Sequence, residues 1–386
     1  MKRLFLAAFS AALLLVPFVS RAQAAEVDEE EGNHMTVTIA PRLEGNYGRW
    51  EADNQPGTNR SLGSSMLYMI MDGNITDNLS LYGAFQLLNP DPAGLYGKDD
   101  DGVSVLFNPQ YVNFLNMLML TYSIGNVDIS LGKDALAFGG FEQDPAIVDT
   151  YWDIYSNNWN LVQPYLWGGR ITWNIGDQAP FFQIVDSPMK ERVFGKGGMC
   201  FFGGWNGQFY DGWETMWSFG GMQTPEDGTM KILSLGNRWT SGNLVLTLDY
   251  MARSFDIKTL FNDEMTLTGE IRYTFPKIDL FSKCGWEFVR GEGGSYFAIG
   301  GDDWYIPYGG TNSKSLVMPT IVPDCIGAEF GGIPDTGDYL FASLGAEISP
   351  LKTRDLRIHV IGAMNNYNKS MSLTAGVTYY FNFNLW

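Results

Sequence analysis

Apolar and polar residues alternate at every second position in many short segments, and this period restricts the fold more than any other feature. The same period recurs in segments that begin at Val37, Leu79, Leu244, Met265 and Leu356. The clearest segment closes the chain, and its apolar positions are Leu373, Ala375, Val377, Tyr379, Phe381, Phe383 and Leu385. A two-residue period is typical of strands with one apolar and one polar face. Because a β-sandwich gives the same pattern, alternation alone predicts only an all-β chain.

The first 24 residues are of a different kind. Two basic residues precede an apolar run from Leu4 to Val19, and the small-residue stretch Ala22-Gln23-Ala24 follows. This layout is typical of a cleaved secretory signal. Beyond it, no segment has the roughly 18 consecutive apolar residues of a membrane-spanning helix. We therefore expect a signal peptide over 1–24 and one domain over 25–386, which can span a membrane only as a closed barrel.

Charge and cysteine usage narrow the function classes. Removing the signal takes three of the 25 basic residues and none of the 43 acids, which leaves 22 against 43 and a net charge of −21. So acidic a chain is not expected to bind nucleic acid, whose phosphates require basic patches. The three cysteines, Cys200, Cys284 and Cys325, are an odd number, so we expect no disulfide framework.

Connection lengths favour a barrel over a sandwich, because outer-membrane barrels have short periplasmic turns and longer extracellular loops. Tight turns are predicted at Thr76-Asp77-Asn78, Gly125-Asn126, Gly176-Asp177-Gln178, Asp211-Gly212, Ser241-Gly242-Asn243, Pro276-Lys277 and Thr353-Arg354-Asp355. Longer connections are predicted near 53–64, 91–112, 140–162, 189–198, 224–228, 257–264, 291–338 and 368–370. Seven turns and eight loops predict a transmembrane antiparallel β-barrel of about sixteen strands, with 14 or 18 as the alternatives. Such a barrel leaves a water channel.

Two loops are conspicuous. The third, 140–162, combines aromatic residues with the acids Glu142, Asp144, Asp149 and Asp153. It either folds into the pore or is an exposed loop. The extracellular loop 291–338 is too long for a simple connection. It is expected to cap the mouth or contact a neighbour, and part of it could pair as an extra hairpin.

Placing the apolar phase of each strand outward predicts a charged inner wall. The residues predicted to face inward are Arg42, Glu44, Arg170, Asp249, Arg253, Glu270, Arg272, Asp279, Lys283, Glu287, Glu347, Arg357 and His359. Charged rings in a narrow lumen bias which ion passes. Each residue could instead be a hydrogen-bonded lining group. Our leading hypothesis is that the third-loop acids face a basic wall formed by Arg42, Arg170, Arg272 and Arg357.

Catalytic and metal signals are weak. The chain has two histidines, His34 and His359, and neither a G-x-S-x-G nor an H-E-x-x-H motif. Asp99-Asp100-Asp101-Gly102 could bind calcium through carboxylate oxygens, but the remaining ligand spacing of a known site is missing, so a solvated charge run is the favoured interpretation. We expect no enzyme, no metal and no cofactor.

Four stretches resemble a known family. They are Ser130 to Asp144 (SLGKDALAFGGFEQD), Leu246 to Met251 (LTLDYM), Arg354 to His359 (RDLRIH) and Gly376 to Phe381 (GVTYYF). They resemble Bacteroidetes porins related to the phosphate-selective porin O and P family. The resemblance implies a sixteen-stranded, usually trimeric channel with the third loop inside the pore. Phosphate-specific members line that pore with arginine and lysine, whereas this wall has mixed signs, so phosphate selectivity is not expected.

These observations predict an integral protein of a Gram-negative outer membrane, in contact with its lipid and lipopolysaccharide. The expected function is passive diffusion of small hydrophilic solutes or ions with a mild cation preference, through a homotrimer. The alternative is a structural or interaction barrel with a plugged lumen, which binds a partner protein through its long loops.

Overall fold

The computed structural model describes residues 34–52, 55–61, 65–88, 115–137, 140–142, 156, 165–187, 198–224, 228–290, 337–366 and 371–385. The strand segments are β1 Met35–Ala52, β2 Gln55–Ser61, β3 Met66–Thr76, β4 Leu79–Leu88, β5 Leu115–Ile124, β6 Val127–Ala135, β7 Tyr165–Trp173, β8 Gln178–Asp186, β9 Met199–Tyr210, β10 Trp213–Thr224, β11 Gly228–Ser241, β12 Leu244–Ser254, β13 Glu264–Thr274, β14 Ile278–Val289, β15 Gly337–Ile348, β16 Leu356–Asn365, β17 Met371–Tyr379 and β18 Phe381–Asn384. Two short 3-10 helices, Gly140–Glu142 and Ile257–Thr259, also belong to the described residues. Among the described residues, no helix is long and apolar enough to cross a membrane.

These segments form one closed antiparallel sheet. Successive segments pair along the chain, and β1 pairs with both ends of the series. β2 pairs with the second half of β1 and β3 with its first half, so β2 and β3 are two parts of one strand. β17 and β18 share β1 in the same way. Eighteen segments with two interruptions therefore make a barrel of sixteen strands, as the sequence predicts.

All seven predicted turns join neighbouring strands. Gly125 and Gly176 lie in two of them with φ near +60°, where a residue without Cβ is favoured. The expected first loop, 53–64, is wrong in part. Residues Gln55–Ser61 continue the strand and pair with Asn46–Ala52, so the first hairpin extends beyond its predicted end. Most of the predicted loop 291–338 and the calcium candidate Asp99-Asp100-Asp101-Gly102 lie outside the described residues, as do the signal sequence and Cys325. Among the described residues, Cys200 and Cys284 form no disulfide.

The two faces of the barrel follow the predicted alternation. Leu344 and Leu131 are 68% and 62% exposed, and they belong to the outward apolar rows. Inward neighbours such as Ser343 and Glu347 are less than 6% exposed. An apolar outer surface with a polar inner one is the arrangement of barrels that lie in lipid.

The outward row gives a direct test of membrane insertion. Leu344 lies in the middle of β15, so Leu344→Arg should destabilise the barrel by about 2–4 kcal/mol, the cost of arginine at the bilayer midplane. Leu351→Arg, in the turn after β15, should cost about 1 kcal/mol or less. Urea unfolding in lipid vesicles measures both. Equal losses of stability in the two variants would contradict the placement of Leu344 near the bilayer midplane.

Candidate functional site: the barrel interior

The chain turns into the barrel directly after β6, ahead of the predicted third loop 140–162. Leu136 is fully buried in an apolar cluster of inward side chains from β7 to β12, which we call the apolar seat: Leu166, Val185, Cys200, Phe202, Met222, Met230, Ile232 and Met251. The buried Gln183 accepts a hydrogen bond from the Ala137 amide at 2.9 Å and donates to the Ala135 carbonyl at 2.8 Å. The segment that leads into the third loop therefore packs against the inner wall.

The 3-10 helix Gly140–Glu142 lies against the inner faces of β10, β11 and β12. The Asp249 carboxylate accepts hydrogen bonds from the amides of Phe141 and Glu142, at 3.0 and 2.6 Å. Gly140 has φ +63°, and a Cβ there would lie 2.6 Å from Oδ1 of Asp249. The close approach to Asp249 thus requires glycine.

Glu142 is held on its other side by a buried cation. Its Oε1 lies 2.6 Å from Nζ of Lys283 on β14, and both side chains are 5% exposed or less. Ser156, further along the loop, donates its amide to the same carboxylate at 2.7 Å and its hydroxyl at 2.8 Å. The Arg238 guanidinium lies 4.0 Å from the centre of the Phe141 ring. We call Asp249, Glu142, Lys283 and Ser156 the loop anchor.

A second buried cluster spans the closure between the first and last strands. Glu44 accepts a hydrogen bond from Nε of Arg42 at 2.9 Å, and its Oε2 lies 2.6 Å from Nε2 of His359 on β16. The three side chains are at most 2% exposed. Between β1 and β16 lies β17, where Gly376 is paired with both Glu44 and His359. We call these three residues the seam cluster.

The remaining predicted wall residues form ion pairs of uneven exposure. Arg170 pairs with Asp134 at 3.0 Å, Arg357 with Glu347 at 3.9 Å and Arg272 with Glu270 at 3.6 Å. These arginine side chains are 24–31% exposed, whereas Asp134 and Glu347 are 8% and 4% exposed. Arg170 and Arg272 also lie over the inward rings of Phe181 and Phe281.

The structure differs from the expected pairing of loop acids with wall arginines. Glu142 contacts Lys283, while Arg42, Arg170, Arg272 and Arg357 pair with acids of the wall itself. Two of these acids, Glu44 and Glu270, lie two residues from their arginines on the same face of one strand. The other two, Asp134 and Glu347, lie on a neighbouring strand, so their pairing depends on strand register, which the sequence pattern does not reveal. Asp144, Asp149 and Asp153 lie outside the described residues. Of the other predicted wall residues, Arg253 pairs with Glu264 at 2.6 Å, Asp279 pairs with Arg354, and Glu287 is fully buried.

Sequence reasoning missed several interior residues. The outward phase of Leu233 and Leu235 on β11 would have placed Arg238 inward. No period in the sequence marks Gln183 as the contact of the loop start, or Arg354 as the partner of Asp279, because both contacts involve a loop or turn. Among the described residues, no group of three or more His, Cys, Asp or Glu side chains could hold a metal ion.

Comparison with solved structures defines the class of fold. OmpT of Vibrio cholerae, in a form that lacks loop L8, has a TM-score of 0.53 at 11% identity, over 90% of this chain and 99% of that one. A multiple mutant of the Rh. blastica porin gives 0.52 at 11%, over 90% and 100%. A porin refined at 1.8 Å gives 0.50 at 12%, over 90% and 100%. No protein-family model matches the sequence, and no curated protein matches it. The chain therefore has the sixteen-stranded porin fold of outer-membrane barrels.

Proposed function

We propose that the protein is a porin-type channel for passive diffusion of small hydrophilic solutes or ions across an outer membrane. The observation that carries this proposal is the partial exposure of inward arginines such as Arg170, Arg272 and Arg357. Charged groups at such exposure require water beside them, because burial of an unsolvated charge is costly. A barrel of sixteen strands is wide enough to hold that water.

Planar-bilayer recording tests the channel. The purified protein should insert in discrete steps of conductance, and a salt gradient should give a mild cation preference, because acidic residues outnumber basic residues by 43 to 25 in the chain. The Leu351→Arg variant serves as a control that should still conduct, because Leu351 lies in the turn after β15. A membrane that stays silent after verified insertion would exclude the channel function.

The location and assembly belong to the same proposal. The apolar outer surface supports integral insertion in a Gram-negative outer membrane, with lipid and lipopolysaccharide as neighbours. The porin fold supports a homotrimer, which chemical cross-linking in detergent would report as a three-chain species. Removal of residues 1–24 would place the mature N-terminus at Ala25, which mass spectrometry measures.

Relation to the phosphate-selective porin O and P family stays a hypothesis that rests on the four sequence stretches. The proposed role involves no catalysis, and His359 is proposed as a wall residue.

A second function, a structural or interaction barrel with a plugged lumen, is favoured by one observation. The apolar seat and Leu136 fill part of the interior with fully or nearly fully buried side chains. A stoichiometric partner that co-purifies, with conductance only after that partner is stripped, would support this alternative and contradict the open channel.

A further inference from the structure

Three cations lie at the ends of neighbouring strands, on the side of the barrel opposite the tight turns. Lys231 lies near the start of β11, Lys258 lies in the 3-10 helix between β12 and β13, and Arg290 follows β14. Because β11 to β14 pair in this order, the three cations lie along one part of the rim. The cluster contrasts with a chain in which acidic residues outnumber basic residues by 43 to 25.

The alternation along the strands places Lys231 and Arg290 on the lipid side of the wall. Lys231 precedes Ile232, which is fully buried in the apolar seat and therefore points inward. The Arg290 guanidinium lies 5.0 Å from the centre of the Phe288 ring. Phe288 is paired with Met265, a member of the outward row of β13. Both cations are thus directed toward the outer leaflet rather than the lumen.

The loop between β12 and β13 uses its acids for its own conformation. Asp256 accepts a hydrogen bond from the Lys258 amide at 2.9 Å and caps the 3-10 helix. Asp263 accepts hydrogen bonds from the hydroxyls of Thr259 and Ser254. The Lys258 side chain is exposed, so its ammonium is presented to the surroundings of the loop.

Exposed apolar side chains lie beside these cations. Phe261 is 59% exposed, and its ring stacks on Tyr250 of the outward row of β12 with 6.4 Å between the ring centres. Ile257, the neighbour of Lys258, is 53% exposed. Apolar groups of this size are unfavourable in water and favourable against acyl chains. The ligand that fits the rim is therefore an anionic group joined to acyl chains.

We propose that this part of the rim binds lipid A, the phosphorylated glycolipid base of lipopolysaccharide. Lys231, Lys258 and Arg290 bind its phosphates, and Phe261 packs against its acyl chains. β11 and β14 are three strand spacings apart, roughly 14 Å, so cations on both sides of the loop fit a wide headgroup with two phosphates. This inference rests on the proposed outer-membrane location, but it does not depend on conduction.

The test compares the double variant Lys258→Gln with Arg290→Gln against the double variant Lys277→Gln with Lys352→Gln. All four side chains are exposed, and Lys277 and Lys352 lie in tight turns at the opposite end of the barrel. The control pair therefore removes the same charge from the other rim. Native mass spectrometry of the refolded protein in detergent measures the affinity for lipid A, monophosphoryl lipid A and phosphatidylglycerol. EDTA is present, so that no divalent cation bridges an acid to a phosphate, and heat-modifiable migration on gels verifies folding.

The wild type should bind lipid A more tightly than either comparison lipid. The rim double variant should bind lipid A roughly 25-fold more weakly, because each cation near an anionic lipid surface contributes about a factor of five. The control pair should keep the wild-type affinity. Equal affinities in the wild type and the rim double variant, or equal losses in the two double variants, would overturn the inference.

Two further results bear on the same site. Phosphatidylglycerol that binds the wild type as tightly as lipid A would also overturn the inference, because the rim would then not distinguish the two headgroups. If the rim double variant does not refold, Lys258→Gln alone should lose about five-fold in affinity, and an unchanged affinity would contradict the site. A barrel that binds lipid A but stays silent in planar bilayers would reject the channel function and leave the lipid A site intact.

Discussion

Replacing Gly376 with alanine should destabilise the barrel by about 3 kcal/mol, near the upper end of the usual cost of overpacking. A Cβ at this position would lie 2.6 Å from Cε1 and 2.7 Å from Nε2 of His359, and 2.9 Å from the Leu43 carbonyl oxygen. The His359 ring is fixed by its contact with Glu44, and the carbonyl belongs to the pairing of β1 with β17. Neither neighbour can yield without weakening the closure of the barrel.

Gly362→Ala is the matched control for this substitution. Gly362 lies on the neighbouring strand β16, and a Cβ there meets its nearest atom, the Ser372 carbonyl oxygen, at 3.9 Å. We expect it to be neutral or slightly stabilising, since alanine loses less conformational freedom on folding than glycine. Urea unfolding in vesicles, followed by tryptophan fluorescence, measures both variants. A similar midpoint for the two would show that the glycine between His359 and β1 is not required for closure.

The fold could be predicted from sequence because lipid and lumen demand opposite chemistry on alternate residues. Alternating segments, such as the one that contains Leu373 and Phe383, predict the strands. Turn residues such as Gly125 and Gly242 predict where most of the strands end. The strand interruptions were not predictable in the same way. Tyr380, which separates β17 from β18, lies between two other aromatic residues and gives no sign of a strand end, and β2 lies inside the predicted connection 53–64.

For the interior, the sequence predicts which side chains face inward but not which partners they contact. Glu44, His359 and Lys283, which the period predicts to face inward, are buried, but partner choice depends on strand register and on loops. Glu44 meets His359 because strands distant in sequence become neighbours when the barrel closes. Glu142 meets Lys283 because the segment Gly140–Glu142 packs against the inner side of the wall. Neither event leaves a mark in a local pattern, so the expected basic wall opposite the loop acids was assigned the wrong cation for Glu142.

The Glu44→Ala variant should lose about 3–5 kcal/mol of stability, the cost of breaking a buried ion pair by removing one partner. The substitution leaves the Arg42 guanidinium, 1% exposed, without the carboxylate that now binds it, and it removes the acceptor beside His359. The same removal at an exposed pair should cost far less. Glu270→Ala, whose partner Arg272 is 31% exposed, should lose about 0–1 kcal/mol.

A double variant separates charge burial from shape. In Arg42→Met with Glu44→Leu, both charges are replaced by apolar side chains of similar volume, which is often neutral in proteins. We therefore expect the double variant to recover most of the stability lost in Glu44→Ala, with a coupling energy on the order of 1–3 kcal/mol. Losses that simply add would mean that Arg42 and Glu44 stabilise the barrel independently. Recovery would mean that removing one charge of the Arg42–Glu44 pair destabilises the barrel, whereas replacing both charges by apolar side chains does not. The two charges would then contribute to the polar interior more than to the closure of the sheet.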